Sequence, residues 1–169
     1  MDDRVNPGVA GAESLLGRCV SVDLEVDPST HRIQSFAAVR PGITEAFVFR
    51  RGNIGAALRS LDEFADRAEF LLGHNIIHFD TKHLQANAVD LRVLAKPAID
   101  TLWLNPLAFP RNPYHHLVKH YRDGRLQAGH VNDPELDADL VLTVLQNQIA
   151  AFIELGRRNS DILKAFHWL

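Results

Sequence analysis

The chain has 169 residues, of which 46% are hydrophobic and 23% charged, and its formal net charge is -3. This is the composition of one globular domain with a real core, and the negative balance argues against a polycationic nucleic-acid binder. A single cysteine, Cys19, excludes an internal disulfide framework and indicates a reducing compartment. With no signal segment and no apolar stretch near the roughly 20 residues that span a bilayer, we expect a cytoplasmic protein without membrane contact.

The first predicted elements are three strands, which short turns connect as an antiparallel meander. A leader over residues 1–17, for which no order is predicted, precedes them. The strands are predicted at about 18–26, 32–39 and 45–50, with turns at Asp27-Pro28-Ser29-Thr30 and Pro41-Gly42.

Alternating helices and strands follow the meander. Asn53 caps a helix whose apolar residues recur at helical spacing, and Phe70-Leu71-Leu72-Gly73 is a central strand because it is too short for a buried helix. Further helices are predicted from about His78, from Asp100 to Leu107, around Tyr114–Tyr121 and from Pro134 to Leu155. The order implies an α/β fold: a mixed sheet, with three antiparallel strands and then parallel strands, flanked by helices.

The domain boundaries follow from this order of elements. We place the main domain at 18–157 and a C-terminal helix at 158–169. The final residues, Ile162–Leu169, are apolar and aromatic, whereas a free terminus is usually polar. We therefore expect the C-terminal helix to lead into a further domain.

The first candidate site is a pair of acids in the first strand. Alternation with period two puts Asp23 and Glu25 on the same face, roughly 6.6 Å apart at about 3.3 Å per residue. Unpaired buried charges are costly, and hard cations such as Mg²⁺ accept shared carboxylate ligands. The pair therefore indicates a metal site, with a solvated polar face of an edge strand as the alternative.

Two further clusters carry acids at positions that a ligand site would use. Gly73-His74-Asn75-Ile76-Ile77-His78-Phe79-Asp80 forms a polar turn after the central strand, where open α/β sheets place their ligands. A helix cap is the alternative reading of that turn. In the last helix, Asp137 lies on or beside the apolar stripe, whereas Asp133 and Glu135 lie near the N-terminus and are predicted to face solvent.

The order and spacing of these clusters resemble the DEDD, or proofreading-type, 3′–5′ exonuclease superfamily over nearly the whole chain. Asp23 and Glu25 match its first motif, Asp80 its second and Asp137 its third. Ile99-Asp100-Thr101-Leu102 is similar to the connector between the second and third motifs.

More narrowly, three segments are similar to the exonuclease-like N-terminal domain of certain bacterial RecQ-type helicases. They are Leu104–Pro110, Tyr114–Lys119 and Asn132–Pro134. This second resemblance implies that a helicase domain is covalently linked to the chain.

The superfamily resemblance implies an RNase H-like fold and phosphodiester hydrolysis with two Mg²⁺ or Mn²⁺ ions. Asp23 would bridge both cations, Glu25 and Asp137 would hold the one that activates water, and Asp80 would support the other. The expected substrate is the 3′ end of single-stranded or frayed DNA, and RNA is not excluded. Independently of the resemblance, four carboxylates at one point repel each other unless cations neutralise them.

Residues beside the motifs would contact this substrate: Leu24, His74, Asn75, Phe79 and Asn132. For Phe79, packing in the core is favoured over contact with the substrate, and Trp103 is also predicted to be a core residue. The locally basic segment between Arg111 and His130 would neutralise phosphates without setting a sequence preference, or else form a solvated helix face.

The chain departs from the family pattern at the general base. One branch of the superfamily has a histidine five residues before the final aspartate and another a tyrosine four residues before it; here these positions are Asn132 and Asp133. An amide cannot accept a proton near neutral pH, so His130 is the candidate base, with a solvated loop histidine as the alternative. Two hypotheses remain: an exonuclease, or a catalytically weak exonuclease-like module that binds DNA ends or docks a helicase.

Overall fold

The structure, a computed structural model, describes residues 15–87, 90–112 and 133–166, together with His115, Leu117 and the backbone of 121–122 and 125–126. Its architecture is α/β, with one mixed five-stranded sheet and helices packed on it. The predicted class and the combination of antiparallel with parallel strands are thereby confirmed.

The sheet has the spatial order β3-β2-β1-β4-β5. β1 pairs antiparallel with β2, and β2 with β3, while β4 lies parallel to both β1 and β5. The strands are β1 (Cys19–Val26), β2 (Ile33–Val39), β3 (Phe47–Phe49), β4 (Phe70–Gly73) and β5 (Ala98–Asp100). The predicted meander and central strand are therefore present, whereas β5 had not been predicted.

The helices that the structure describes lie within a few residues of predicted ones, and most of them begin at a side-chain cap. Asn53 Oδ1 accepts from the Ala56 N–H at 3.0 Å, as expected of an N-cap. The helices are α1 (Ile54–Phe64), α2 (Asp80–Asn87), α3 (Thr101–Ala108), α4 (Pro134–Arg158) and α5 (Ser160–Phe166), with a 3₁₀ helix at Arg92–Ala95.

Two of the predicted helices differ from the structure in their bounds. The helix expected from His78 begins at Asp80, because the N–H groups of His78 and Phe79 close a turn on the Asn75 carbonyl at 3.2 and 2.9 Å. The helix expected around 114–121 does not reach its predicted end. Residues 121–122 form a strand, β6, that pairs with β7 at 125–126, and most of the remaining segment lies outside the described residues.

The core has two parts, one on each face of the sheet, because β1 alternates as its sequence predicts. Val20, Val22 and Leu24 point to the face covered by α1. Cys19 points to the opposite face, where it packs with Val141 and Leu145 of α4. Full burial of an aliphatic side chain contributes about 1.5–3 kcal/mol, so this alternation fixes the face on which Asp23 and Glu25 project.

Helix α4 is, by length and composition alone, long and apolar enough to cross a membrane. Core helices of soluble proteins also meet that criterion, so it is weak evidence. The buried positions of α4 recur every three or four residues, at Pro134, Asp137, Ala138, Val141, Leu145 and Gln148. One face of the helix thus packs across β1 and β2, as in an amphipathic core helix.

The described ends of the chain pack against the main domain. Leu16 contacts the α4 side of the core, and the Cys19 thiol, whose pKa burial raises to about 11, donates to the Leu15 carbonyl. At the other end α5 folds back on α4, and the Phe166 and Phe152 rings pack edge-on with their centroids 6.2 Å apart.

Candidate metal centre

Three carboxylates from distant parts of the chain meet on the α4 face of the sheet. Asp23 and Glu25 project from β1, and Asp137 lies one turn into α4. One oxygen from each side chain can be chosen so that all three lie within 4.8 Å of one another. The strand acids are half-buried and Asp137 is 4% exposed. The alternation of β1 and the buried stripe of α4 therefore converge at one point.

The N-terminus of α4 is anchored beside this cluster. Asp133 caps the helix by accepting from the Glu135 N–H at 3.2 Å. Arg50, just after β3, lies 3.3 Å from Asp133 and 3.8 Å from Glu135. Asp133 and Glu135 thus have capping and ion-pair roles, and Asp139 is exposed to solvent. The first turn of α4 is held so that Asp137 faces β1.

Asp80 lies next to the cluster but is not one of the three converging ligands. The pairing of β1 with β4 ends at Ser21 and Leu72, and beyond it the Leu24 N–H donates to Asp80 Oδ1 at 3.2 Å. Asp80 is 3% exposed, and burial raises the pKa of its carboxyl to about 7, with the charges of Asp100 and Glu25 acting in the same direction. Asp80 therefore binds the strand backbone between the two strand acids.

We expect the raised pKa of Asp80 to make the metal-free protein less stable as pH rises. Between about pH 4 and 7 the native state keeps a proton that the unfolded chain has released, so stability falls across this window. One such proton contributes a slope of up to about 1.4 kcal/mol per pH unit. Urea unfolding in EDTA at pH 4.5 and 7 measures it, and Asp80→Asn should lose this contribution. Equal slopes in the variant and the wild type would contradict the assignment.

The turn that carries Asp80, residues 74–79, depends on a close backbone approach. Asn75 has a φ of 66°, in the left-handed region. At Gly73 a Cβ atom would lie 2.6 Å from Ile76 Cδ1 and 2.7 Å from Ile76 Cβ. The chain can turn here because Gly73 lacks a side chain and asparagine tolerates a positive φ.

We expect Gly73→Ala to destabilise the protein by about 1–3 kcal/mol, because the buried Ile76 must move. Its melting temperature should fall by roughly 2–12 °C in calorimetry. Gly156→Ala is the matched control: its Cβ would meet the flexible end of Leu163, which can rotate away. A Gly73→Ala melting temperature equal to that of wild type would show that the close approach is not required.

Asp100 holds this turn from the neighbouring strand, a role that sequence analysis missed. It is 4% exposed, and its carboxylate accepts from three backbone N–H groups: Asn75 at 2.8 Å, Ile77 at 3.1 Å and Leu102 at 3.0 Å. The sequence made Asp100 the first residue of a predicted helix and assigned no hydrogen bond to it. The two bonds to the turn depend on the β4–β5 register, which places Gly73 opposite Asp100.

The remaining predicted site residues have different surroundings. The Leu24 side chain is buried in the core, so its contact with Asp80 is through the backbone. His74 Nδ1 lies 2.9 Å from Thr101 Oγ1, and Asn75 shapes the turn. The candidate base His130 and the substrate residue Asn132 lie outside the described residues.

Two aromatic side chains beside the turn are more exposed than core packing would allow. Phe79 is 39% exposed and contacts the His83 ring edge-on, so it is not a core residue. Trp103 is 58% exposed and lies against the His78 ring at 5.4 Å, so its predicted place in the core is wrong. Helical spacing alone misled here, because α3 turns this side of its surface away from the sheet.

The ligand chemistry of the three-acid cluster fits a hard divalent cation. Its donors are all carboxylate oxygens. This donor set favours Mg²⁺ or Mn²⁺ over Zn²⁺, which binds nitrogen and sulfur ligands more readily. Three acids account for one cation, and a second would require Asp80. Neither the protein-family models nor the curated proteins compared with this chain match it.

Proposed function

We propose that this protein is a divalent-metal-dependent 3′–5′ exonuclease of the DEDD type, acting on single-stranded or frayed DNA. The observation that carries the proposal is the convergence of Asp23, Glu25 and Asp137 from β1 and α4, with Asp80 bound to the backbone between the strand acids. These are the four positions that the sequence resemblance assigns to metal binding.

The mixed sheet supports the same proposal. Three antiparallel strands followed by two parallel ones, with Asp23 and Glu25 on the central strand, are compatible with an RNase H-like fold. This topology is shared by many α/β proteins, so the acid cluster carries more weight than the fold.

Each acid has a distinct part in the proposed chemistry. Asp23, Glu25 and Asp137 would hold a Mg²⁺ or Mn²⁺ ion, and Asp80, oriented by the Leu24 N–H, would support a second. When bound, such ions supply positive charge at the scissile phosphate and lower the pKa of the attacking water. The exposed Phe79 ring offers a surface on which a terminal base can stack.

The experiment that tests the proposal is degradation of a single-stranded DNA oligonucleotide labelled at its 5′ end. In Mg²⁺ or Mn²⁺ we expect a ladder that shortens from the 3′ end, and no ladder in EDTA or with Asp23→Asn. An oligonucleotide labelled at its 3′ end should release labelled mononucleotide first, which establishes the polarity.

Folded wild-type protein that produces no ladder in either metal would overturn the exonuclease. The alternative, a module that binds DNA ends or docks a helicase, would then be tested by binding to the same oligonucleotide. An RNA oligonucleotide run in parallel determines the sugar preference. A linked helicase domain and a cytoplasmic location remain predictions from the sequence.

A further inference from the structure

We infer that Asp100 is a positioning residue for the metal centre, which holds the 74–79 turn so that Asp80 meets β1. It lies at the carboxyl end of β5, and neither the three-acid cluster nor the four matched motif positions include it. The catalytic part of this inference rests on the proposed function, whereas the structural part rests on the hydrogen bonds alone.

Asp100 accepts more hydrogen bonds than a helix cap requires. A cap on α3 needs only the bond from the Leu102 N–H to Oδ1. The other two donors, the N–H groups of Asn75 and Ile77, belong to a segment that follows a different strand. A carboxylate that accepts several backbone N–H groups makes charge-assisted bonds, which are roughly twice as strong as neutral ones.

These bonds lead directly to Asp80. Asn75, gripped by Asp100, accepts in turn from the N–H groups of His78 and Phe79, which closes the turn immediately before α2. Asp80 opens α2 and receives the Leu24 N–H. Hydrogen bonds therefore join Asp100 to the turn and Asp80 to β1, and the peptide bond from Phe79 to Asp80 connects the two sets.

Thr101, which directly follows Asp100, also contacts the segment that leads into the turn. Its Oγ1 donates to the Gly73 carbonyl at 3.2 Å and lies 2.9 Å from His74 Nδ1. Thr101 is fully buried. Thr101 therefore contacts Gly73 and His74, and Asp100 binds the next residue, Asn75.

The test compares Asp100→Ala and Asp100→Asn with a matched control, Asp62→Ala. Asp62 is also a carboxylate that joins two segments: it accepts from the N–H groups of Arg92 and Val93, both at 2.9 Å, away from the acid cluster. Asparagine at position 100 keeps the Oδ1 acceptor for Asn75 and Leu102 but presents an N–H₂ group to Ile77. The three variants separate loss of stability from loss of positioning.

The first readout is hydrogen exchange at the Leu24 amide, measured relative to the slowest amides of the same variant. We expect Asp100→Ala to raise the exchange rate of the Leu24 amide at least tenfold and Asp100→Asn to raise it less. Asp62→Ala should leave this rate unchanged. The second readout is exonuclease kinetics: kcat should fall at least tenfold in Asp100→Ala while KM stays within about twofold, because a misplaced catalytic group slows the chemical step.

An Asp100→Ala variant whose Leu24 exchange and kcat match those of Asp62→Ala would overturn the inference. Should Asp100→Ala not fold, the same comparison with Asp100→Asn decides. Inactive wild-type protein would overturn the proposed function instead. The exchange rate of the Leu24 amide in Asp100→Ala would then test the positioning role by itself. An unchanged rate would overturn that role, and a raised rate would support it.

Discussion

Asp137→Asn is expected to reduce Mn²⁺-dependent hydrolysis by about 10³-fold, equivalent to about 4 kcal/mol of transition-state stabilisation. Asp137 supplies one of the three converging carboxylates and is the buried member of the group. An amide keeps its shape but carries no charge with which to hold a divalent cation. Initial rates on a labelled oligonucleotide at saturating Mn²⁺ measure the effect.

Asp139→Asn is the matched control for this variant. Asp139 lies two residues further along the same helix, is exposed to solvent and loses the same charge on substitution. We expect it to keep the wild-type rate within about twofold, because exposed single charges contribute little. Equal losses in both variants would show that the net charge of α4, and not a metal site, controls the activity.

Mn²⁺ is expected to stabilise the protein strongly. A ligand at 100 times its Kd that binds only the native state adds about 2.7 kcal/mol, which for a chain of this size raises the melting temperature by roughly 5–10 °C. Three carboxylates with oxygens within 4.8 Å can provide that binding energy, because the cation removes their mutual repulsion. Calorimetry in EDTA and in Mn²⁺ gives the shift.

Asp23→Asn should abolish most of this shift, whereas Asp62→Asn, which removes a carboxylate remote from the cluster, should retain it. The comparison separates specific binding from general screening of a negatively charged protein. A shift of equal size in the wild type and in Asp23→Asn would indicate that Mn²⁺ binds elsewhere, and a wild type with no shift would count against a formed site.

The regular elements near the site were predictable because their signals are local. The alternation of β1, the Asn53 cap and the apolar stripe of α4 each depend on residues within one segment. β5 was missed because three residues are too few for a periodic signal, and it becomes a strand only through pairing with β4. The next helix, α3, was predicted at nearly the right residues. The side of α3 that faces the sheet was not predicted correctly, and Trp103, expected in the core, is exposed.

By itself the sequence determined the α/β class, the face of β1 from which Asp23 and Glu25 project, and the place of Asp137 on or beside the apolar stripe of α4, since each follows from a period of two or 3.6 residues. Tertiary structure alone decided that Asp137 lies within 4.8 Å of the strand acids, that Asp80 bonds the Leu24 backbone and that Asp100 grips the turn before it. The physical reason is that these contacts join segments distant in sequence. Their geometry depends on strand register and on the path of α4 across the sheet, and no local pattern encodes either.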